Sequence, residues 1–116
     1  NYPRNCVAYP GTHDNNTLTG WFAEELTAAQ RKQVVDYFAL TKQEGTVRGM
    51  LRGVLASTAA LAIIPMADWL EGPAARMNTP GQAQGNWQWR ADAKKLTPAL
   101  AAEIRVLTER YFRAAK

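Results

Sequence analysis

The spacing of apolar positions changes along the chain. Cys6-Val7-Ala8-Tyr9 is a short continuous apolar run cut by Pro10-Gly11, which predicts a buried strand at 6–9. After the polar stretch "THDNNT", Thr17 is placed to cap a helix through "LTGWFAEEL", despite Gly20 in its first turns. Thr27 is a stronger N-cap, because "TAAQ" puts Gln30 at the third helical position, the pattern of a capping box. The helix that follows carries Val34, Val35, Phe38 and Leu40 and is expected to stop near Gly45. From Thr46, the residues Val47, Met50, Leu51, Val54, Leu55 and Leu61 recur at three- and four-residue steps, as a core-facing stripe should.

"LAIIP", Leu61 to Pro65, is continuously apolar and β-branched, so it reads as a second, fully buried strand, although periodicity alone also allows a helix to run into it. "ADWL" reads as one helical turn ended by Gly72-Pro73. Residues 74–93 have no period and are rich in Gly, Pro, Asn and Gln, with two Trp; this is a long loop. Thr97-Pro98 opens the clearest helix, with a stripe of Leu100, Ile104, Leu107 and Tyr111. Two buried strands joined by helical crossovers form a parallel βα arrangement. Two strands cannot cover themselves on both faces, so the rest of a sheet is expected to lie outside these residues.

Composition narrows the function classes. At 116 residues the chain makes at most one domain, with 47% hydrophobic and 21% charged residues, as is ordinary for a globular protein. The net charge of +4 is spread over scattered Lys and Arg, which reads as a solvated surface and not as a nucleic-acid interface. One cysteine and one histidine make neither an internal disulfide nor a metal-ligand spacing. No metal or other cofactor is implied. The apolar stretch at 54–66 is interrupted and falls short of the roughly 20 residues of a membrane span. No signal peptide is visible, so a cytoplasmic location is expected. The opening "NYPRN" lacks an initiator Met, which suggests a processed product or an excised piece.

Three places could carry chemistry. His13 and Asp14 follow the first strand, with Asn15 and Asn16 beside them. In parallel βα architectures, functional groups gather at strand C-termini because the following loops converge there. An aspartate held ionised by backbone N–H groups can accept hydrogen bonds from a polyhydroxylated ligand. Asp and Asn are also favoured helix caps, so capping remains open on composition alone. The second place is "ARMNTPGQAQGNWQWR". Arg76 offers a fork of donors, Asn78 and Asn86 offer donor and acceptor, and Trp87 and Trp89 offer flat apolar faces on which sugar rings or other flat partners can stack. "WQW" also alternates like a strand, with one Trp in the core and one at the rim. The third is Asp68, just after the second strand, which either touches a ligand or holds the adjacent loop by capping backbone N–H groups. No other carboxylates form an evident acid/base pair.

"GTHDNNT", "VRGMLRG…AIIPMADWL" and "ARMNTPG…GNWQWR", in this order, resemble the 4-α-glucanotransferases called amylomaltase or disproportionating enzyme. The resemblance covers nearly the whole chain and matches the C-terminal portion of that family. It implies an α/β fold: residues 1–116 would be the C-terminal fragment of a (β/α)8 TIM barrel, with 6–9 and 61–65 as its last two strands. It also implies a retaining transfer of an α-1,4-glucan segment to the 4-hydroxyl of an acceptor, through a covalent glycosyl-enzyme. The nucleophile and the acid/base are expected upstream of Asn1. Asp14 matches the aspartate that grips the sugar hydroxyls and stabilises the transition state, and His13 matches its neighbouring sugar contact. Asn78 matches a loop residue near the same pocket. Asn15, Trp87, Arg76 and Asp68 complete the expected substrate-binding set. Two departures stand out: Asn16 where the family often has Asp, and Ala67 where it often has Gln.

The expected partner is thus an α-1,4-glucan such as a maltooligosaccharide, starch or glycogen, with no nucleic acid and no membrane. The isolated fragment is expected to be inactive and to self-associate or need the missing N-terminal part. Two competing readings are a non-catalytic glucan-binding fragment and a helical interaction module without ligand.

Overall fold

A computed structural model describes residues 5–12, 15–71 and 76–114. His13 and Asp14, and the expected helix stop at Gly72-Pro73, lie outside the described residues.

Two short parallel strands, β1 (Val7–Ala8) and β2 (Leu61–Ala62), pair with Val7 opposite Leu61 and Ala8 opposite Ala62. The ladder extends one residue further through the Ile63 N–H, which donates to the Ala8 carbonyl at 2.9 Å. Between the strands run α1 (Leu18–Gly20) with its π-helical continuation Trp21–Glu25, α2 (Ala28–Phe38) and α3 (Thr46–Leu55). After β2 come α4 (Met66–Leu70), a 3-10 turn (Ala93–Lys95) and α5 (Pro98–Arg110).

The helix starts are the ones the sequence announces. Thr17 Oγ1 accepts the Gly20 N–H at 3.1 Å. Thr27 forms the complete capping box with Gln30. Thr97 Oγ1 accepts the Leu100 N–H at 3.1 Å, with Pro98 at the first helical position.

α3 carries the core: Val47, Met50, Leu51 and Leu55 are buried together with Leu18 and Trp69. The predicted α5 stripe of Leu100, Ile104, Leu107 and Tyr111 packs against this cluster. Leu61, placed on the α3 stripe by its spacing, belongs instead to β2.

Two expectations change. α2 does not reach Gly45; it ends at Phe38, with Ala39 in the left-handed region at φ 52° and its N–H turned back to the Val35 and Asp36 carbonyls. The cause is packing on α3. Phe38 and Leu40 lie over Gly53 and Gly49, where a Cβ at Gly53 would stand 2.5 Å from the Phe38 ring and one at Gly49 would collide with Leu40. A separate turn, in which the Gly45 N–H donates to the Thr41 carbonyl at 2.9 Å, then leads into α3.

The strands, second, are not buried on both faces. Ala8 is 1% exposed, and Ala62 and Ile64 pack on the core. Val7 (42%), Tyr9 (49%), Leu61 (53%) and Ile63 (53%) point the other way and are exposed. Alternation along a strand sends successive side chains to opposite faces, and among the described residues helices cover only one of them. No helix among the described residues is long and apolar enough to cross a membrane.

Candidate functional site at the strand ends

Both strands point their C-terminal ends at the same region, so the chain that leaves them converges there. β1 runs into Pro10–Thr17 and β2 into Pro65 and α4. A cavity of about 160 Å3 lies between these segments, lined by Gly11, Thr12, Asn15, Pro65 and Asp68, and by Arg76 from the long loop. A larger cleft of about 530 Å3 shares Gly11, Asn15, Asn16 and Arg76 and is walled further by Tyr9, Trp21 and Glu25.

The flanks of His13-Asp14 are fixed by their own chemistry. The Asn15 N–H donates to the Thr12 carbonyl at 3.1 Å. Asn15 Oδ1 accepts from the Thr12 N–H at 2.7 Å and from Thr12 Oγ1 at 3.0 Å. The Asn15 side-chain amide oxygen thus closes a tight turn, a local side-chain-to-backbone pattern that Asn favours. Asn16 Nδ2 donates to Glu25 Oε2 at 2.8 Å, and the Asn16 amide occupies the space a Cβ at Gly20 would need. That contact explains a glycine inside the first helical turns.

Asp68 is 4% exposed, and its Oδ1 accepts the Leu18 N–H at 2.8 Å. Burial pushes its carboxyl above the usual aspartate range, and the Leu18 N–H pulls it part of the way back. The side chain therefore caps α1 from across the site while also forming part of the smaller cavity's wall.

The long loop is ordered by internal hydrogen bonds. Asn86 Oδ1 accepts the Thr79 N–H at 2.8 Å, and Asn86 Nδ2 donates to the Gln82 carbonyl at 2.9 Å. The Trp87 N–H donates to the Met77 carbonyl, and Gly81 and Gly85 take positive φ of 86° and 82°. "WQW" is therefore not a strand: Trp87 has φ 61° and is 57% exposed. Arg76 Nε donates to the Asn78 carbonyl at 3.0 Å, and Arg76 lines both cavities.

Of the sequence-predicted residues, the structure brings Asn15, Asp68 and Arg76 around one cavity. Asn78 and Trp87 stand outside the walls of both cavities. Tyr9, Gly11 and Thr12 were missed as lining residues. Their signal was position alone, since they follow directly from a strand end.

The scattered basic residues are not all a solvated face. Arg31 donates to the Phe22 and Ala23 carbonyls, Arg52 to Phe38, Arg48 to Trp69, and Arg113 to Leu55, Ser57 and Ala59. Each thereby satisfies carbonyls at or near the end of a helical segment.

A sequence profile described as 4-alpha-glucanotransferase matches residues 1–96. The 4-alpha-glucanotransferase of Clostridium butyricum is 45% identical over 114 residues, covering 97% of this chain and 23% of that enzyme. The one from Thermus thermophilus is 36% identical over 116 residues, covering 94% of this chain and 23% of its own length. Among solved structures, an amylomaltase from Streptococcus agalactiae in complex with acarbose superposes with a TM-score of 0.93 at 36% identity, covering 98% of this chain and 23% of that one. The chain thus spans less than a quarter of the length of these relatives. With the profile matching most of its residues, the chain belongs to the 4-alpha-glucanotransferase family.

Proposed function

We propose that the chain is the C-terminal part of the catalytic (β/α)8 barrel of a 4-α-glucanotransferase and supplies one wall of its α-glucan site. The observation that carries this reading is the convergence of the loops after two parallel strands, with Arg76, on one cavity. The likeness to an amylomaltase in complex with acarbose supports a glucan as the occupant.

The complete enzyme works by retaining double displacement: one carboxylate attacks the anomeric carbon, a second donates and then recovers a proton, and the acceptor's 4-hydroxyl takes the glycosyl group. Both carboxylates lie outside these residues. Asp14 accepts hydrogen bonds from the hydroxyls of the sugar at the cleavage point, with His13 beside it, and these bonds strengthen as oxocarbenium character develops. Arg76 and Asn15 line the approach. Asn78 and Trp87 reach the glucan only through parts of the sugar chain beyond the cavity. A cytoplasmic setting accords with a single cysteine, Cys6.

The test is an assay of glucose release from maltotriose, run on the complete enzyme and on the purified 116-residue chain. The complete enzyme is expected to disproportionate the substrate and the chain alone to be inactive. Turnover by the 116-residue chain would show that its own residues hold the whole catalytic machinery and would refute the assignment.

A further inference from the structure

We propose that Arg48 is a positioning residue that clamps α4 from α3 and so sets the wall that α4 gives to the smaller cavity; this rests on the reading above of that cavity as part of the glucan site. The 160 Å3 cavity takes Pro65, Ala67 and Asp68 as one of its walls. All three lie on α4 or on the residue that leads into it. α4 is five residues long, little more than one turn, and a helix of that length has little stability of its own. Its place is therefore set by what holds it from outside.

At the cavity the holding contact is Asp68 Oδ1, which accepts the Leu18 N–H at 2.8 Å. One residue further along, the contacts converge on a single side chain. Arg48 Nη1 donates to the Trp69 carbonyl at 2.7 Å and stands 3.1 Å from Glu71 Oε2. Its guanidinium carbon lies 5.2 Å from the centre of the Trp69 ring, so the same cation grips both the backbone and the ring of that residue. The remaining donors go to α5 as a bidentate pair, Nε to Glu103 Oε2 at 2.8 Å and Nη2 to Glu103 Oε1 at 3.2 Å.

Arg48 lines neither cavity, so its effect on a ligand passes through α4. Trp69 follows Asp68 directly, and a shift at the clamped residue reaches the cavity wall without an intervening segment. Without Arg48, the carboxylates of Glu71 and Glu103 lose their shared cation and the Trp69 carbonyl loses a donor. A lysine cannot replace it, because a point charge does not serve the Glu103 fork, the carbonyl and the ring face together.

The experiment measures Tm, and kcat and KM for maltotriose well below every Tm, in the complete enzyme. A contact that only stabilises the fold lowers Tm and leaves the KM of the folded enzyme alone. A positioning residue moves KM even when folding is complete. Arg48→Lys is expected to raise KM roughly three- to tenfold with a smaller change in kcat, the mark of lost binding. Arg48→Met is expected to raise it further; where that variant does not fold, the Lys variant decides. Glu103→Gln keeps an acceptor for Arg48 and leaves its hold on Trp69, so Tm is expected to fall with KM within about twofold of wild type. Wild-type KM in Arg48→Lys, or a Glu103→Gln variant as impaired in KM, would overturn the positioning role. Ala67→Leu, which adds carbons to the cavity wall, tests the underlying reading and is expected to raise KM. An unchanged KM there would mean that the cavity holds no sugar, a failure distinct from that of the clamp.

Discussion

Asp68 faces two opposed forces: burial disfavours its ionised form, and the Leu18 N–H favours it. Burial is the larger, so the folded carboxyl binds its proton more tightly than the unfolded one. Its favourable contribution to stability is then fully present below the unfolded value of about 4 and is lost as pH rises through the folded value. Asp68→Asn has no such proton. Its Tm, measured by calorimetry on the complete enzyme, is expected to gain on wild type as pH rises from about 4 towards 7. A difference that is flat or falls with pH would mean that the Leu18 bond outweighs burial. Gly20 gives a second test at this scale. Gly20→Ala must displace the Asn16 amide from Glu25, costing about 1–3 kcal/mol through crowding in a buried place. The residue types at the site were legible because Asn, Asp and Arg after strand ends carry obvious donors and acceptors. Their division of labour was not: Asn86 and Asn15 spend side-chain atoms on their own loops, which depends on turn geometry that composition does not encode.

At the scale of elements, caps and stripes were readable because they are local. Thr27 with Gln30, and Thr97 with Pro98, place helix starts by chemistry within one turn. The end of α2 was hidden, because it depends on Gly49 and Gly53 of another helix admitting Leu40 and Phe38. The arginine caps were hidden for the same reason. Arg113 reaches carbonyls of Leu55, Ser57 and Ala59 more than fifty residues away, holding the connection from α3 to β2. Arg113→Met is expected to lower unfolding free energy by about 1.5–3 kcal/mol, read from the midpoint of urea denaturation. An unchanged midpoint would show these bonds to be replaced by water at no cost.

For the molecule as a whole, the parallel pairing of two strands followed from the alternation of strand and helix patterns. The full burial predicted for those strands fails on one face, since Val7, Tyr9, Leu61 and Ile63 have nothing among the described residues to cover them. An exposed apolar sheet face with open edges favours association. The isolated chain is therefore expected to sediment as a concentration-dependent mixture, and Leu61→Lys with Ile63→Lys to shift it towards monomer; a wild-type chain that stays monomeric throughout would contradict this. On the proposed function, the loop after β1 holds the group that grips the reacting sugar. The most direct measurement is kcat of Asp14→Asn in the complete enzyme, by glucose release from maltotriose. The expected result is a fall of roughly a hundredfold or more with a smaller change in KM, as for a contact that strengthens in the transition state. Near-normal turnover in a folded Asp14→Asn enzyme would contradict it.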